Sequence, residues 1–392
     1  MAKVSTIVDS IQMSAVSSIS IKASEKGWDD TIFMAGGEPQ FSPPSSVNKA
    51  FSEIVEKGYN KYSPFAGYSS LLQKIKVKLR DFNNIHVNEE QIYTVPGGSS
   101  ALFTALMTLI EKGDEVLIQD PCWEHYAQII NLLGGVAKKV KMVRNENGHL
   151  RVDREILEKS ITDKTKVLLL NTPLNPTGSV LTTDEIKDIV EVVEKYDIHL
   201  VADEEYEGFV FDPYKHISPA AIYPKTITLF SFSKTYALTG IRLGYIVAPE
   251  DIINAIRKVS LYSFMYAPSP SQYVAEAVLS DNHIEFAKRA CQEMFEKSRY
   301  LSKSLQSIPG VLCDDTESGL YVNPNFSNFR ISGIEMSELL FERYHLLSVP
   351  GEVSGENGKG SVRLYVGLDQ KVLEEAVKRI RSAVEQLSLV TN

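Results

Sequence analysis

Lys234 stands in the run SFSKTYALTGIRLGY, close behind Ser231 and Ser233 and one short loop ahead of Arg242. A lysine so placed suggests condensation of its amine with an aldehyde. A free lysine has a pKa of about 10.4 and is a poor nucleophile at neutral pH, but desolvation or a cationic neighbour lowers it into the range of imine chemistry. Arg242 supplies that cation, and its planar fork is a bidentate partner for phosphate. Ser231 and Ser233 add hydroxyl donors, so the run can hold a phosphorylated aldehyde. The competing reading is a solvated loop lysine beside a surface arginine.

These residues need elements to hold them. Thr226 to Phe232 (TITLFSF) reads as a buried strand, which puts Lys234 at its carboxyl end, where open α/β sheets place their ligands. The short apolar runs EVLIQD, KVLLLN, IHLVAD and RLGYIVAP alternate with amphipathic stretches such as TDEIKDIVEVVEKY, where Ile186, Ile189, Val190 and Val193 share a face. Near-continuous strand hydrophobicity implies burial on both faces, hence a mostly parallel sheet covered by helices. Gly97, Gly98 and Ser99 lie between the strand IYTV and the helix SSALFTALMTLI. Bare backbone N–H groups at a helix N-terminus make an anion site, although any helix needs some turn before it. After Ser280 come a long charged helix (NHIEFAKRACQEMFEKSRYLSKSL), strands broken by Gly and Pro, and a terminal helix with Val372, Ala376, Ile380, Ala383 and Leu387 in line. A smaller α+β domain is expected there.

The same runs resemble a known family. SFSKTYALTGIRLGY is similar to the cofactor-lysine segment of the class I and II aminotransferases, the fold-type I enzymes that use pyridoxal 5'-phosphate. NTPLNPTG (Asn171 to Gly178), VADEEYEGFVF, TVPGGSSALFTAL, KGDEVLIQDPCWEHY, GGEPQF, KYSPFAGYSSL and SVRLYVG resemble the family's other segments, in the family's order, from about Gly36 to the C-terminus. The resemblance, to aspartate/aromatic-type members, implies a large domain (45–288) with a mostly parallel seven-stranded sheet covered by helices. It also implies a smaller discontinuous α+β domain made of an N-terminal segment (1–44) and residues 289–392, and a homodimer with shared active sites.

By the same resemblance, Lys234 forms the Schiff base with the cofactor and then moves the substrate's Cα proton. Asp203 holds the pyridine nitrogen protonated, making the ring an electron sink; alone, it would read as the N-cap of a helix opening at DEEYEGF. Tyr206 and Asn175 donate to the ring's phenolic oxygen, and Trp123 stacks on the ring face unless it is an ordinary core tryptophan. Gly97, Gly98, Ser99, Ser231, Ser233 and Arg242 form the phosphate cup, joined by Tyr62 from the partner subunit. On spacing alone Tyr62 is equally a turn tyrosine beside Pro64. Arg363 clamps the substrate's α-carboxylate, with the Gly37 backbone close by, where an unplaced strand arginine would be a solvated edge residue. The implied reaction moves an amino group from an amino acid to a 2-oxo acid in two stages. A C–S lyase or other elimination enzyme would need almost the same site. Glu317 stands where the family often has proline and Ser354 where it often has phenylalanine, so specificity is the least transferable property.

Composition accords with this. The chain has 392 residues, is 43% hydrophobic and carries a formal net charge of -9, with no basic block suited to a nucleic-acid groove. Three cysteines, Cys122, Cys291 and Cys313, form no metal or redox spacing, and their odd number argues against a disulfide framework. No signal core or bilayer-length apolar run appears, and a cytoplasmic location is expected. The roughly 35 residues ahead of GGEP are too short and too little basic for a DNA-binding domain. No GxGxxG or GxxxxGK[ST] follows a strand, which disfavours a nucleotide-binding enzyme.

Overall fold

The computed structural model describes residues 4–390. The apolar runs form one seven-stranded sheet. Its strands are β1 (Ile92–Val95), β2 (Glu115–Asp120), β3 (Val136–Lys141), β4 (Thr165–Asn171), β5 (His199–Asp203), β6 (Ile227–Ser231) and β7 (Gly244–Val247). The spatial order is β1-β7-β6-β5-β4-β2-β3. β7 runs antiparallel to both β1 and β6, and the remaining pairs are parallel.

Period-two alternation feeds a core on each face of this sheet. Val116, Ile118, Val167, Leu169 and Val201 pack with the helix Gly98–Leu109 on one side. Leu117, Leu168, Leu170 and Leu200 pack with the helix Thr183–Tyr196 on the other. That helix opens with a capping box between Thr182 and Glu185, as TxxE before an apolar run should. Its buried residues are Ile186, Ile189, Val192 and Val193, so Val192 takes the core position expected for Val190, which is half-buried. The terminal helix Gln370–Val390 likewise buries more than the expected line: Leu373, Val377 and Val384 join Ala376, Ile380 and Ala383, while Val372 and Leu387 are only partly covered. The edge strand β3 (VAKKVK) went unread in the sequence because exposed lysines on a sheet edge break the apolar signal.

Beyond this sheet, Tyr321–Val322 and Val349–Pro350 flank Val362–Tyr365 in a three-stranded sheet. Ile32–Phe33 pairs in parallel with Leu346–Leu347, tying the N-terminal segment to the C-terminal part of the chain. One apolar cluster joins Ile32 and Met34 to Met294, Leu301, Leu340, Leu364 and Ile380. The long helix expected after Ser280 spans His283–Gln306, and residue 288 lies inside it.

Under β6 and β7 sits a buried polar layer. Lys78 forms an ion pair with Glu207, its ammonium 4.4 Å from the centre of the Phe230 ring. Asn83 Nδ2 donates to Glu207 at 2.6 Å. Lys78→Met would leave Glu207 buried without its cation, a loss of about 3–5 kcal/mol that should appear as a lower unfolding midpoint. A loss under about 1 kcal/mol would show that Asn83 alone satisfies the carboxylate.

Candidate active site

The ladder sets the carboxyl ends of β4, β5 and β6 side by side, with Asn171 opposite Asp203 and Asp203 opposite Leu229. Above them is a cavity of about 400 Å³ whose walls include Trp123, Asn175, Asp203, Tyr206, Lys234 and Arg363. Lys234 lies three residues beyond the last residue of β6, half-buried, and its Nζ donates to the Gly37 carbonyl at 2.9 Å. A Cβ on Gly37 would come within 2.1 Å of the Tyr321 hydroxyl, so only glycine fits this wall.

Asp203 is not a helix cap: the residues after it turn without forming a helix. Its carboxylate accepts from the Tyr126 hydroxyl at 2.8 Å and from the Glu205 amide at 3.1 Å. Burial, and then the nearby Glu205 carboxylate, push the Asp203 carboxyl up to about 7. A cation held against Asp203 would reverse that shift. Burial also holds the Tyr126 and Tyr206 phenols well above their ordinary value, so both remain hydrogen-bond donors at neutral pH.

Outside the lining but next to it, Gly97, in the left-handed region at φ 86°, precedes the helix Gly98–Leu109, and a Cβ on Gly98 would lie 3.7 Å from Oε1 of the lining residue Glu205. A Cβ on Gly97 would lie 2.5 Å from Arg242 Nη2, so the guanidinium crosses directly over the turn. Ser231 and Ser233 are buried, with the Ser231 hydroxyl donating to Ser233 Oγ at 2.9 Å. Ser99 faces solvent on the first helical turn.

Arg363 is 8% exposed, and among the described residues no carboxylate lies within ion-pair distance of it. Its Nη1 donates to Asn175 Oδ1 at 3.1 Å and its Nη2 to the Ala35 carbonyl at 2.8 Å, while Nε is buried without a partner. The guanidinium carbon sits 4.2 Å from the centre of the Tyr321 ring. A buried cation with an unsatisfied N–H is primed for an incoming anion. Asn175 Nδ2 also reaches the Tyr206 hydroxyl at 3.4 Å, and Tyr206 meets Tyr321 at 3.2 Å.

Trp123 lines the cavity half-buried and stacks on His125, centroids 4.2 Å apart. Burial and then Arg363 lower the His125 pKa, so that ring is neutral at neutral pH. Tyr62 does not reach its own chain's cavity: it is 80% exposed and packs against Tyr266 in a separate groove. Ser354 is also outside the cavity; its carbonyl accepts from the Cys122 amide and the Lys139 ammonium. Sequence reasoning missed Tyr126, His125 and Tyr321. Tyr126 was visible in the DPCWEHY run, and its tie to Asp203 depends on a long-range contact that no spacing reveals.

Comparison with known proteins gives this geometry its context. The family model "Aminotransferase class I and II" matches residues 29–380. The chain belongs to that family. Its relatives include an aspartate aminotransferase of Pyrococcus horikoshii, 32% identical over 91% of each chain. Another is aromatic-amino-acid aminotransferase 2 of Thermococcus litoralis, 31% identical over 93% of this chain and 94% of that one. Among solved structures, aspartate aminotransferase from Thermus thermophilus with maleate superposes with a TM-score of 0.92 at 28% identity, covering 98% of this chain and all of that one. The protein is thus a pyridoxal-phosphate-dependent aminotransferase acting on amino acid and 2-oxo acid substrates. The site suits the cofactor: the Gly97 cradle, Arg242 and two buried serines next to the cavity are donors for a phosphate, and the cavity lining itself holds the buried Asp203 carboxyl. Among the described residues, no helix of the aminotransferase is long and apolar enough to cross a membrane.

Asp203 gives a pH-dependent test on the cofactor-free enzyme. Because the folded state holds its proton up to about pH 7 and the unfolded chain releases it near 3.8, stability is present below that window and lost as pH rises through it. Asp203→Asn should therefore raise the unfolding midpoint of the cofactor-free protein by a few degrees at pH 8 and change it little at pH 4. An unchanged difference between the two pH values would show that the carboxyl is not buried as described.

Proposed function

We propose that Lys234 carries the cofactor, and that the enzyme transfers the amino group of an α-amino acid with an uncharged side chain, aromatic ones included. The observation behind the donor class is the inventory of cations: the described cavity lining holds only Lys234 and Arg363, while His125 is neutral and Glu38 and Glu205 are acidic. With one cation committed to the cofactor and the other to the α-carboxylate, this chain's own lining has none left for a second carboxylate. The relatives' names cover both aspartate and aromatic donors, and the lining favours the latter.

When bound, pyridoxal phosphate supplies an electron-withdrawing ring that stabilises negative charge at the substrate's Cα. The chain's residues do the rest. Gly97, Gly98, Ser99, Ser231, Ser233 and Arg242 would hold the phosphate, Asp203 would keep the ring nitrogen protonated, and Tyr206 and Asn175 would donate to the ring's phenolic oxygen. Trp123 would pack against the ring, and Arg363 would grip the substrate's α-carboxylate beside Gly37. Lys234 Nζ would carry the cofactor and, once freed by the amino acid, would act as the base that takes up the substrate's Cα proton and the acid that gives it back. Nothing in the cavity favours elimination over transfer.

The proposal includes a cytoplasmic homodimer in which Tyr62 reaches the partner's phosphate site. Its support is an exposed tyrosine in a groove of about 620 Å³ formed with Tyr266 and Pro268. It also includes a division into residues 45–288 and a discontinuous unit of 1–44 and 289–392. The pairing of Ile32–Phe33 with Leu346–Leu347 supports that division.

A panel of amino donors, scored by 2-oxo acid formed, tests the donor class: aromatic and other neutral donors should exceed aspartate and glutamate in kcat/KM by at least about tenfold, or 1.4 kcal/mol. A preference for dicarboxylic donors would reject it. Arg363→Ala should lower kcat/KM for every amino acid by about 2–5 kcal/mol. The matching decarboxylated amine should lose far less, and equal proportional losses would rule out the carboxylate clamp. For the shared site, mixing Tyr62→Ala with Lys234→Ala subunits should restore activity in hybrid dimers. Hybrids that form and gain nothing over the parents would show that Tyr62 acts elsewhere.

A further inference from the structure

Glu317, the departure from the family's proline, is only 1% exposed and lies outside the cavity lining. Its Oε2 accepts from Arg151 Nη1 at 2.8 Å and from the backbone N–H of Val180 at 2.9 Å, and its Oε1 faces Arg151 Nη2. His149 Nε2 lies 3.9 Å from the same carboxylate. Arg151 is held in turn by the Leu150 carbonyl at 3.0 Å and lies 3.9 Å from Glu185. Val180 directly follows the turn that holds Asn175, which is closed by the Leu174 amide on the Ser179 carbonyl and the Gly178 amide on the Leu174 carbonyl. The same turn is stitched to the segment after Glu317 at two more points: Ser318 Oγ donates to the Gly178 carbonyl at 2.7 Å, and Asn323 Nδ2 to the Pro176 carbonyl at 2.6 Å.

These two segments present Asn175 and Tyr321 to the cavity, one bonded to Arg363 and the other under its guanidinium plane. Resting on the reading of Arg363 as the carboxylate clamp, we infer that Glu317 is a positioning residue. Its bond to the Val180 amide fixes the Asn175 turn against the Tyr321 segment, and so aims Arg363 at the substrate's α-carboxylate. Arg151 neutralises the buried carboxylate so that it can occupy that place. A buried ion pair replaced by apolar groups of similar volume is often neutral for stability, so the pair's contribution is one of geometry. A displacement of about 1 Å in a substrate-holding group is enough to lower rates by up to about a hundredfold.

Two double variants separate position from charge. Glu317→Leu with Arg151→Met removes both charges and the acceptor for Val180; its unfolding midpoint should stay near wild type while KM for the amino acid rises about tenfold, more than kcat falls. Glu317→Gln with Arg151→Met keeps an acceptor for Val180 and conserves volume, so KM should return to within about twofold of wild type. A wild-type KM in the first variant, or a KM raised about tenfold in the second with its midpoint retained, overturns the positioning role; the second comparison stands even if the first variant fails to fold. Arg363→Ala is the control. If it leaves KM unchanged, the carboxylate clamp itself is wrong, whereas a raised KM there beside an unaffected Glu317→Leu/Arg151→Met enzyme rejects the role of Glu317 alone.

Discussion

A carboxyl group buried at the end of a central strand is the constraint around which the rest of this enzyme is arranged. Asp203 has one hydroxyl and one backbone amide to satisfy it, and Glu205 repels its charge. Only a cation placed against it from the cavity makes its ionised form comfortable. The parallel ladder fixes the backbone of Asp203 between Asn171 and Leu229, and the Tyr126 hydroxyl and Glu205 amide hold its carboxyl in place. Its neighbour Glu204 points to the other face, where Ser218 at 2.6 Å and His216 at 2.7 Å hold it. Two adjacent acids thus serve opposite ends, one facing the chemistry and one anchoring the layer beneath, because successive side chains in extended backbone alternate faces.

Around that carboxyl the walls approach more closely than ordinary side chains allow. Gly37 meets the Tyr321 hydroxyl, Gly97 meets Arg242, and Gly178, at φ 74°, meets the Ser318 carbonyl. In each pair the partners are far apart in sequence, so the cavity and its surroundings are assembled by contacts between distant segments of the chain. Arg363 shows the consequence. Its fork is split between Asn175, Ala35 and the Tyr321 ring, which come from three separate segments. Its orientation is therefore a property of how those segments dock, and a substitution remote from the cavity, such as proline to Glu317, can be felt at the guanidinium.

The sequence by itself determined the mostly parallel sheet, its apolar strands and the family to which the chain belongs, because these rest on local signals. Strand runs announce themselves by continuous hydrophobicity, the Gly97–Gly98 turn by its place between strand and helix, and Lys234 by its distance from the end of β6. It also gave the helix Thr183–Tyr196 its start, through the side chain of Thr182. Tertiary structure alone decided the rest. The edge strand β3 was hidden because its three lysines interrupt the apolar run, and Val192 is buried more deeply than Val190 in the cluster against the sheet residues Leu168 and Leu200. Tyr126 and Tyr321 could not be read as site residues, since their hydroxyls meet Asp203 and Tyr206 across 77 and 115 residues. Glu317 could be seen as unusual but not understood. Whether a buried acid is a liability or a fastening depends on what faces it, and Arg151 and the Val180 amide arrive only when the chain has folded.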